Sequence, residues 1–393
     1  MDIEGLRRQI PTVQKMAYFN TGWEGPSPVP VIEAIKERLE YESYNGPSSP
    51  EVLESAESIA RQAKEAVAKL VNASPDEIAL TENTTEGLNV VLNGLPWMAG
   101  DEIVTCNLEH PSVLLPSYNL QQRAGVKVKV VILSSNSTHD EIVSKFEEAL
   151  TPKTRMVFLS HIEYSCGLRM PIKRIRRLTQ GRGIWMLLDG AQGPGHVRLD
   201  MRDIGCDFYS MPGHKWLLGP DGTGALYIRK EMLEQVRPVR VGYRFAKSFD
   251  QAGNFVPLTD SIDKFRVSTT SAPLRAGHLE AVRFHQRIGS DTVEQRSLAQ
   301  AARLKTALSA IPGVRVTSPL EGPECTGLVT FTIEGVAPAD AVAAMWKTQR
   351  ILTRAVAFPS GIRASVAFFN TDDEIARLAE AVRGLAKAPK PRA

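Results

Sequence analysis

Apolar residues recur at three- and four-residue spacing through SPEVLESAESIARQAKEAVAKLV, which predicts a long amphipathic helix beginning near Pro50. A helical stretch from Val31 to Tyr44 precedes it, entered from the Gly- and Pro-rich FNTGWEGPSPVP and closed by NGPSSP. Further along the rhythm changes to short apolar runs at Glu102–Cys106, Lys127–Leu133, Met156–His161, Ile184–Leu188, Phe208–Met211 and Gly224–Ile228. Runs this short and this uniformly apolar predict buried, largely parallel strands. Helical or turn-rich segments separate most of them, so the expected architecture is α/β with helices covering both faces of a sheet. In such a fold the ligand site lies beyond the carboxyl ends of the strands.

Past residue 283 the pattern becomes a smaller α+β unit, with strands expected near Leu328–Ile333 and Ile362–Phe368 and a final helix from Asp372 to Leu385. Thr371 and Glu374 have the spacing of a capping box for that helix. The terminal KAPKPRA reads as a frayed tail. These patterns divide the chain into a large domain over 21–282 and a small C-terminal domain over 283–393, with segment 1–20 packing near the latter.

Composition narrows the picture without redirecting it. With 43% hydrophobic and 23% charged residues the chain has globular, not disordered, proportions. The formal net charge is only +3, and the one basic cluster, Lys173, Arg174, Arg176 and Arg177, reads as a solvated helix face, so no nucleic-acid partner is expected. Cys106, Cys166, Cys206 and Cys325 lie far apart with no CxxC pair, which argues for reduced thiols, no metal site and a cytoplasmic setting. No run has the length of a signal sequence core or a membrane span, and no membrane association is expected.

The candidate chemistry sits at the strand ends. In LLDGAQG an apolar strand closes on Asp189, with Gln192 just beyond; taken alone, the acid reads more readily as a helix cap or turn residue. In FYSMPGHKWLLGPDGTGALYI a second strand ends in a turn that offers Lys215 among apolar and aromatic residues. A lysine there loses its proton more easily and becomes a nucleophile for a Schiff base, although a lone lysine is usually a surface charge. ENTTEGLNVVLNGL opens a helix whose N–H groups and hydroxyls suit a phosphate, and LEHPSV places His110 after another strand. Together these supply a phosphate cradle, a flat ring for stacking, an acid and an amine, the parts required by an aldehyde cofactor with a pyridine ring.

The order of the motifs ENTTEG, EHP, DGAQ, GHKW with a following GPDGTG, and IRASVAFFNTDDEI resembles the fold-type I, aminotransferase class V family of pyridoxal 5′-phosphate (PLP) enzymes. The resemblance runs through nearly the whole chain and implies a PLP-transferase fold with a mostly parallel central sheet. It implies that Lys215 carries PLP as a Schiff base and that Asp189 keeps the pyridine nitrogen protonated. His110 would stack on the ring, Gln192 would approach the phenolic oxygen, and Thr84, Thr85 and His214 would hold the phosphate. Thr269 resembles the position that reaches the phosphate of a neighbouring subunit, which implies a homodimer with shared sites. Arg363 matches the arginine that binds the substrate α-carboxylate.

The chain departs from the family in two cofactor contacts, Pro212 standing where a phosphate-binding hydroxyl is usual and Tyr164 where an asparagine often lies beside the cofactor. Cysteine desulfurases carry a nucleophilic cysteine shortly before the carboxylate-binding arginine, and the corresponding LTRAVAFPSGIRAS is short and has none. Among the relatives without that cysteine, cystine C–S lyases are most similar in their GHKW, GPDGTG, VGYR and NTDDEI segments, with Arg354 resembling a second arginine that would bind the distal carboxylate of cystine. The expected activity is therefore β-elimination of a sulfur-substituted amino acid to aminoacrylate, then pyruvate and ammonia. A class V aminotransferase or an epimerase of the isopenicillin N type is the alternative on the same site, and a desulfurase ranks below both.

Overall fold

Seven strands form the central sheet of the computed structural model, which describes residues 2–387. In chain order they are β1 (Ile78–Thr81), β2 (Glu102–Cys106), β3 (Lys127–Val131), β4 (Thr154–Ser160), β5 (Trp185–Asp189), β6 (Phe208–Pro212) and β7 (Gly224–Ile228). They lie side by side as β1-β7-β6-β5-β4-β2-β3, and β7 alone runs antiparallel to its neighbours. The apolar runs of the sequence are thus strands buried on both faces. In β5, Met186 and Leu188 enter one core cluster while Trp185 and Leu187 enter the other; β4 divides Val157 and Leu159 from Met156 and Phe158 in the same way. Each such side chain contributes on the order of 1.5–3 kcal/mol by leaving water. The edge strand β1 has no counterpart among the sequence expectations, because a four-residue run beside a helix carries little period-2 signal.

Helices α1 (Val29–Asn45) and α2 (Pro50–Leu70) pack against a later helix, Ala272–Ile288. The expected domain boundary at 282/283 falls inside that helix. The C-terminal unit holds β8 (Val314–Val316), β9 (Leu328–Ile333), β10 (Arg354–Ala357) and β11 (Ser360–Ser365), ordered β8-β9-β11-β10 and all antiparallel. Its core includes Phe331, Ile362 and Leu378 together with Phe19. The N-terminal segment is stitched to this unit, because Ala17–Tyr18 pairs with Ile351–Leu352 and Arg7 bonds Glu374 at 3.0 Å. The last helix spans Asp372–Lys387, and the Thr371–Glu374 capping box forms in both directions, at 3.1 and 3.2 Å. Apart from Lys387, the tail expectation lies outside the described residues.

Lys173 and Arg177 of the basic cluster are exposed, as on a solvated helix face, and one member departs from it. Arg176 is drawn inward to the buried Asp207 at 3.1 Å, and Lys173 and Arg174 pair with Asp203 and Asp140, each at 2.7 Å. Among the described residues no helix is long and apolar enough to cross a membrane.

Candidate active site

Because β1, β2, β4, β5 and β6 share one direction, the segments that follow them emerge along one edge of the sheet. Register fixes the alignment there. Ser160 stands opposite Asp189 and Asp189 opposite Ser210, while Pro212 and Thr81 both pair with Gly224. Thr84, Thr85, His110, Asp189, Gln192, His214 and Lys215 follow these strand ends, whereas Arg354 and Arg363 come from the C-terminal sheet.

Asp189 closes β5, is 3% exposed, and accepts the Ala191 N–H through Oδ1 at 2.8 Å. Burial raises its pKa, opposed by the nearby Lys215 ammonium. Lys215 follows β6 in a turn held tightly by its neighbours: a Cβ on Gly25 would sit 2.0 Å from the Lys215 carbonyl oxygen, and Leu218 adopts a left-handed φ of 58°. Burial lowers the Lys215 pKa to about 8, with Asp189 opposing and the Arg363 and Arg354 charges reinforcing. An amine shifted this far has the neutral form within reach near neutral pH.

His110 caps helix α4 (Pro111–Ala124), its Nδ1 accepting the Ser112 N–H at 3.1 Å. That bond assigns the ring proton to Nε2. Burial, then the charges of Lys215, Arg354 and Arg363, push its pKa down to about 4, so the ring is neutral at physiological pH. Tyr164 meets it edge to face at 4.9 Å.

At the other end of the site, Asn83 caps helix α3 (Thr84–Gly94) by accepting the Glu86 N–H at 2.9 Å. The first helical residue, Thr84, has a buried hydroxyl with no partner, and so has Nδ1 of His214. Thr85 Oγ1 lies 2.9 Å from Ser112 Oγ, which lies 3.0 Å from His110 Nδ1. The orphaned Thr84 hydroxyl at a helix N-terminus is a group that an anionic phosphate satisfies. Pro212 offers no hydroxyl; one residue pair back, Ser210 Oγ donates instead to the Thr84 carbonyl at 2.8 Å.

Gln192 is more committed than the sequence implied. Its Nε2 donates to the Gly22 carbonyl at 2.9 Å, and its Oε1 accepts the Trp216 indole N–H at 2.7 Å. Trp216 in turn stacks on His196 at 3.6 Å. Among the Gln192 donors, one Nε2 hydrogen is left for a ligand. The Trp216–His196 platform escaped the sequence reading because a tryptophan after a lysine and a histidine in a turn carry no spacing signal.

Thr269 does not join the cluster within one chain. It is exposed in a separate groove of about 630 Å³ lined by Glu57, Thr81, Gly222, Arg266 and His278.

Arg363 on β11 is 0% exposed; its Nη1 donates to the Tyr164 carbonyl at 2.8 Å, while Nε and Nη2 are buried without partners. Directly opposite, in register, stands Arg354 on β10, whose guanidinium lies 3.7 Å over the Trp23 ring. Burial and Arg354 lower the Arg363 pKa to about 9. Trp23 was not anticipated from sequence.

A lysine with a lowered pKa, a buried acid whose charge reaches it and an orphaned hydroxyl at a helix N-terminus, all at one edge of this sheet, are the parts that a PLP enzyme of fold type I requires. The aminotransferase class-V family model matches residues 24–378, and the chain belongs to that family. It is 31% identical to a probable cysteine desulfurase of Methanothermobacter thermautotrophicus, over 98% of each chain. The structure of the cystine C–S lyase C-DES in complex with its reaction product, cysteine persulfide, superposes with a TM-score of 0.89 at 31% identity, covering 95% of this chain and 99% of that one. A lysine-to-alanine mutant of C-DES, with glycine covalently linked to its PLP cofactor, gives 0.90 at 30% identity, covering 96% and 98%.

Proposed function

We propose that this chain is a PLP-dependent C–S lyase that eliminates the β-substituent of a sulfur-substituted amino acid carrying a second carboxylate, such as cystine. Thr84, Thr85 and His214 would hold the phosphate, His110 the ring face, Asp189 the pyridine nitrogen, and Gln192 the phenolic oxygen through its remaining N–H. The cofactor, when bound, supplies an electron sink for the charge developing at the substrate α-carbon. Lys215 Nζ, its pKa drawn down to about 8, is matched to removing the α-proton near neutral pH. Neutral His110 adds no competing positive charge over the ring. The β-sulfur then departs with its own substituent, leaving pyruvate and ammonia after hydrolysis.

The β10–β11 hairpin carries this reading. It sets two arginines directly opposite each other, an arrangement that destabilises a bare sheet, and leaves buried N–H groups of Arg363 with no acid to meet them. Two carboxylates on the substrate satisfy both guanidiniums, Arg363 holding the α-carboxylate and Arg354 the distal one. The same hairpin closes through Phe358 and Pro359 alone, since Ala357 pairs with Ser360. No segment there offers a thiol to accept sulfur. Elsewhere Cys106, Cys166 and Cys206 are buried, and Cys325, partly exposed, sits 3.2 Å from Lys305 in the C-terminal unit. Thr269 would complete the phosphate cradle of a second copy in a homodimer.

The deciding experiment incubates the holoenzyme with cystine and a panel of amino acids and identifies the products by mass spectrometry. Pyruvate with cysteine persulfide, undiminished in Cys325→Ala and in the variant lacking all four cysteines, supports the lyase. Alanine together with a trapped protein persulfide would reinstate a desulfurase. A keto acid retaining the substrate side chain points to transamination, and an inverted amino acid to epimerisation.

A further inference from the structure

Each of the two rings that meet in the site follows a buried acid: Glu109 precedes His110, and Glu163 precedes Tyr164. The acids lie beyond the ends of neighbouring strands β2 and β4, and their exposures are 4% and 0%. Glu109 is saturated with donors. Its two oxygens share the single Ser160 N–H at 2.9 and 3.0 Å, Oε2 also receives the Ser160 hydroxyl at 2.6 Å, and Oε1 lies 3.5 Å from the Cys106 thiol. Glu163 is starved of them: Oε1 has the Cys106 thiol at 3.4 Å, and Oε2 is buried with no partner.

One side-chain atom from each of Cys106, Glu109 and Glu163 lies within 4.8 Å of the other two, and neither carboxyl makes an ion pair among the described residues. The titratable groups facing the pair are Cys106 on β2, Asp189 at the end of β5, and Tyr164 and Cys166 after β4. Asp189 adds negative charge. Two ionised carboxylates so placed, with a third nearby, would repel strongly in a medium this poor in water. Burial accordingly lifts Glu109 to about 8 and Glu163 well above the carboxylate range.

We propose that Glu109 and Glu163 hold one proton between them, Glu163 donating through Oε2 to the ionised Glu109, and that this shared proton locks the ends of β2 and β4 together so that His110 and Tyr164 stay in contact. Glu163 is thus a positioning residue for His110. The assignment of the proton to Glu163 follows from the donor count: two Ser160 donors, the N–H shared by both oxygens and the hydroxyl, already favour the anion on Glu109, and the orphaned oxygen belongs to Glu163. The pair is independent of the reaction assigned above, since it concerns the protein's own groups and is testable without substrate.

Because the folded pair keeps a proton that the unfolded chain releases in the ordinary carboxylate range, its stabilisation is complete at acid pH and is lost progressively as pH rises toward the raised value. Glu163→Gln supplies the same donor without titrating. In wild type minus Glu163→Gln infrared difference spectra of the apoprotein at neutral pH, the C=O stretch of a protonated carboxyl is expected on the wild-type side. The variant should also lose part of the fall in thermal midpoint between the ordinary carboxylate range and the raised value, and keep the holoenzyme absorbance band. Glu163→Leu, which leaves Glu109 a lone buried ion, should lower the midpoint and perturb that band. The absence of the carboxyl stretch from the difference spectrum overturns the proposal, as do identical pH–stability profiles or a stoichiometric metal found by elemental analysis. Should Glu163→Gln fail to fold, the wild-type band decides: bleaching as pH rises into the alkaline range supports the shared proton, and persistence overturns it.

Discussion

Replacing Lys215 with methionine keeps most of the side-chain volume and removes an amine that the apoprotein holds at a cost. The lysine pKa falls from 10.5 to about 8, chiefly by burial and then by the charges of Arg363 and Arg354, against the favourable charge of Asp189. A shift of this size corresponds to about 3 kcal/mol of destabilisation by the charged form, at 1.36 kcal/mol per unit. That net figure already contains the attraction of Asp189, so the loss of this cation in the variant is counted once. Below the folded value both folded and unfolded chains are protonated and the whole cost is present. Between about 8 and 10.5 the folded lysine is neutral while the unfolded one still binds a proton, so wild-type stability gains on the variant with rising pH. Denaturant titration of the two apoproteins should therefore find Lys215→Met the more stable at pH 7, by up to about 3 kcal/mol, with the difference shrinking toward pH 10. Equal stabilities at pH 7, or a difference independent of pH, would refute the reasoning. The same variant should give no borohydride-trapped cofactor peptide, whereas in the wild type the label should map to Lys215.

Asp189→Asn should retain the cofactor while slowing α-proton exchange by orders of magnitude, measured by deuterium incorporation; exchange near the wild-type rate would remove the proposed role. Arg363→Lys loses the fork that serves a carboxylate and should raise KM about 10- to 100-fold with a smaller change in kcat, corresponding to about 1.5–3 kcal/mol for a charge-assisted bond. An unchanged KM would place the carboxylate elsewhere. Gly25→Ala drives a Cβ to within 2.0 Å of the Lys215 carbonyl oxygen, a backbone atom that cannot swing aside, and should cost about 1–3 kcal/mol in stability together with cofactor occupancy. A thermal midpoint and absorbance matching the wild type would show that the turn yields more easily than its packing implies.

Much of the large domain was written in local sequence, because a strand covered on both faces must be apolar throughout. The run from Trp185 through Leu188 could scarcely serve another purpose, and the acid that ends it had to emerge at the sheet edge. Asp189, Lys215 and the Asn83 cap were legible for the same reason: each interrupts an apolar or helical pattern at its end. Edge elements such as β1 and the short β8 and β10 were not, since pairing across long sequence separations, not local period, makes them strands. Tertiary structure alone decided what the polar side chains do. It spent both ends of the Gln192 amide on Gly22 and Trp216, drew Arg176 in to Asp207, set Arg354 across from Arg363 beneath Trp23, and closed Glu163 against Glu109 and Cys106. Burial of an apolar run follows from composition over a few residues, but the charge state and partners of a buried polar group depend on what distant segments bring within a few ångströms of it, and no local pattern encodes that.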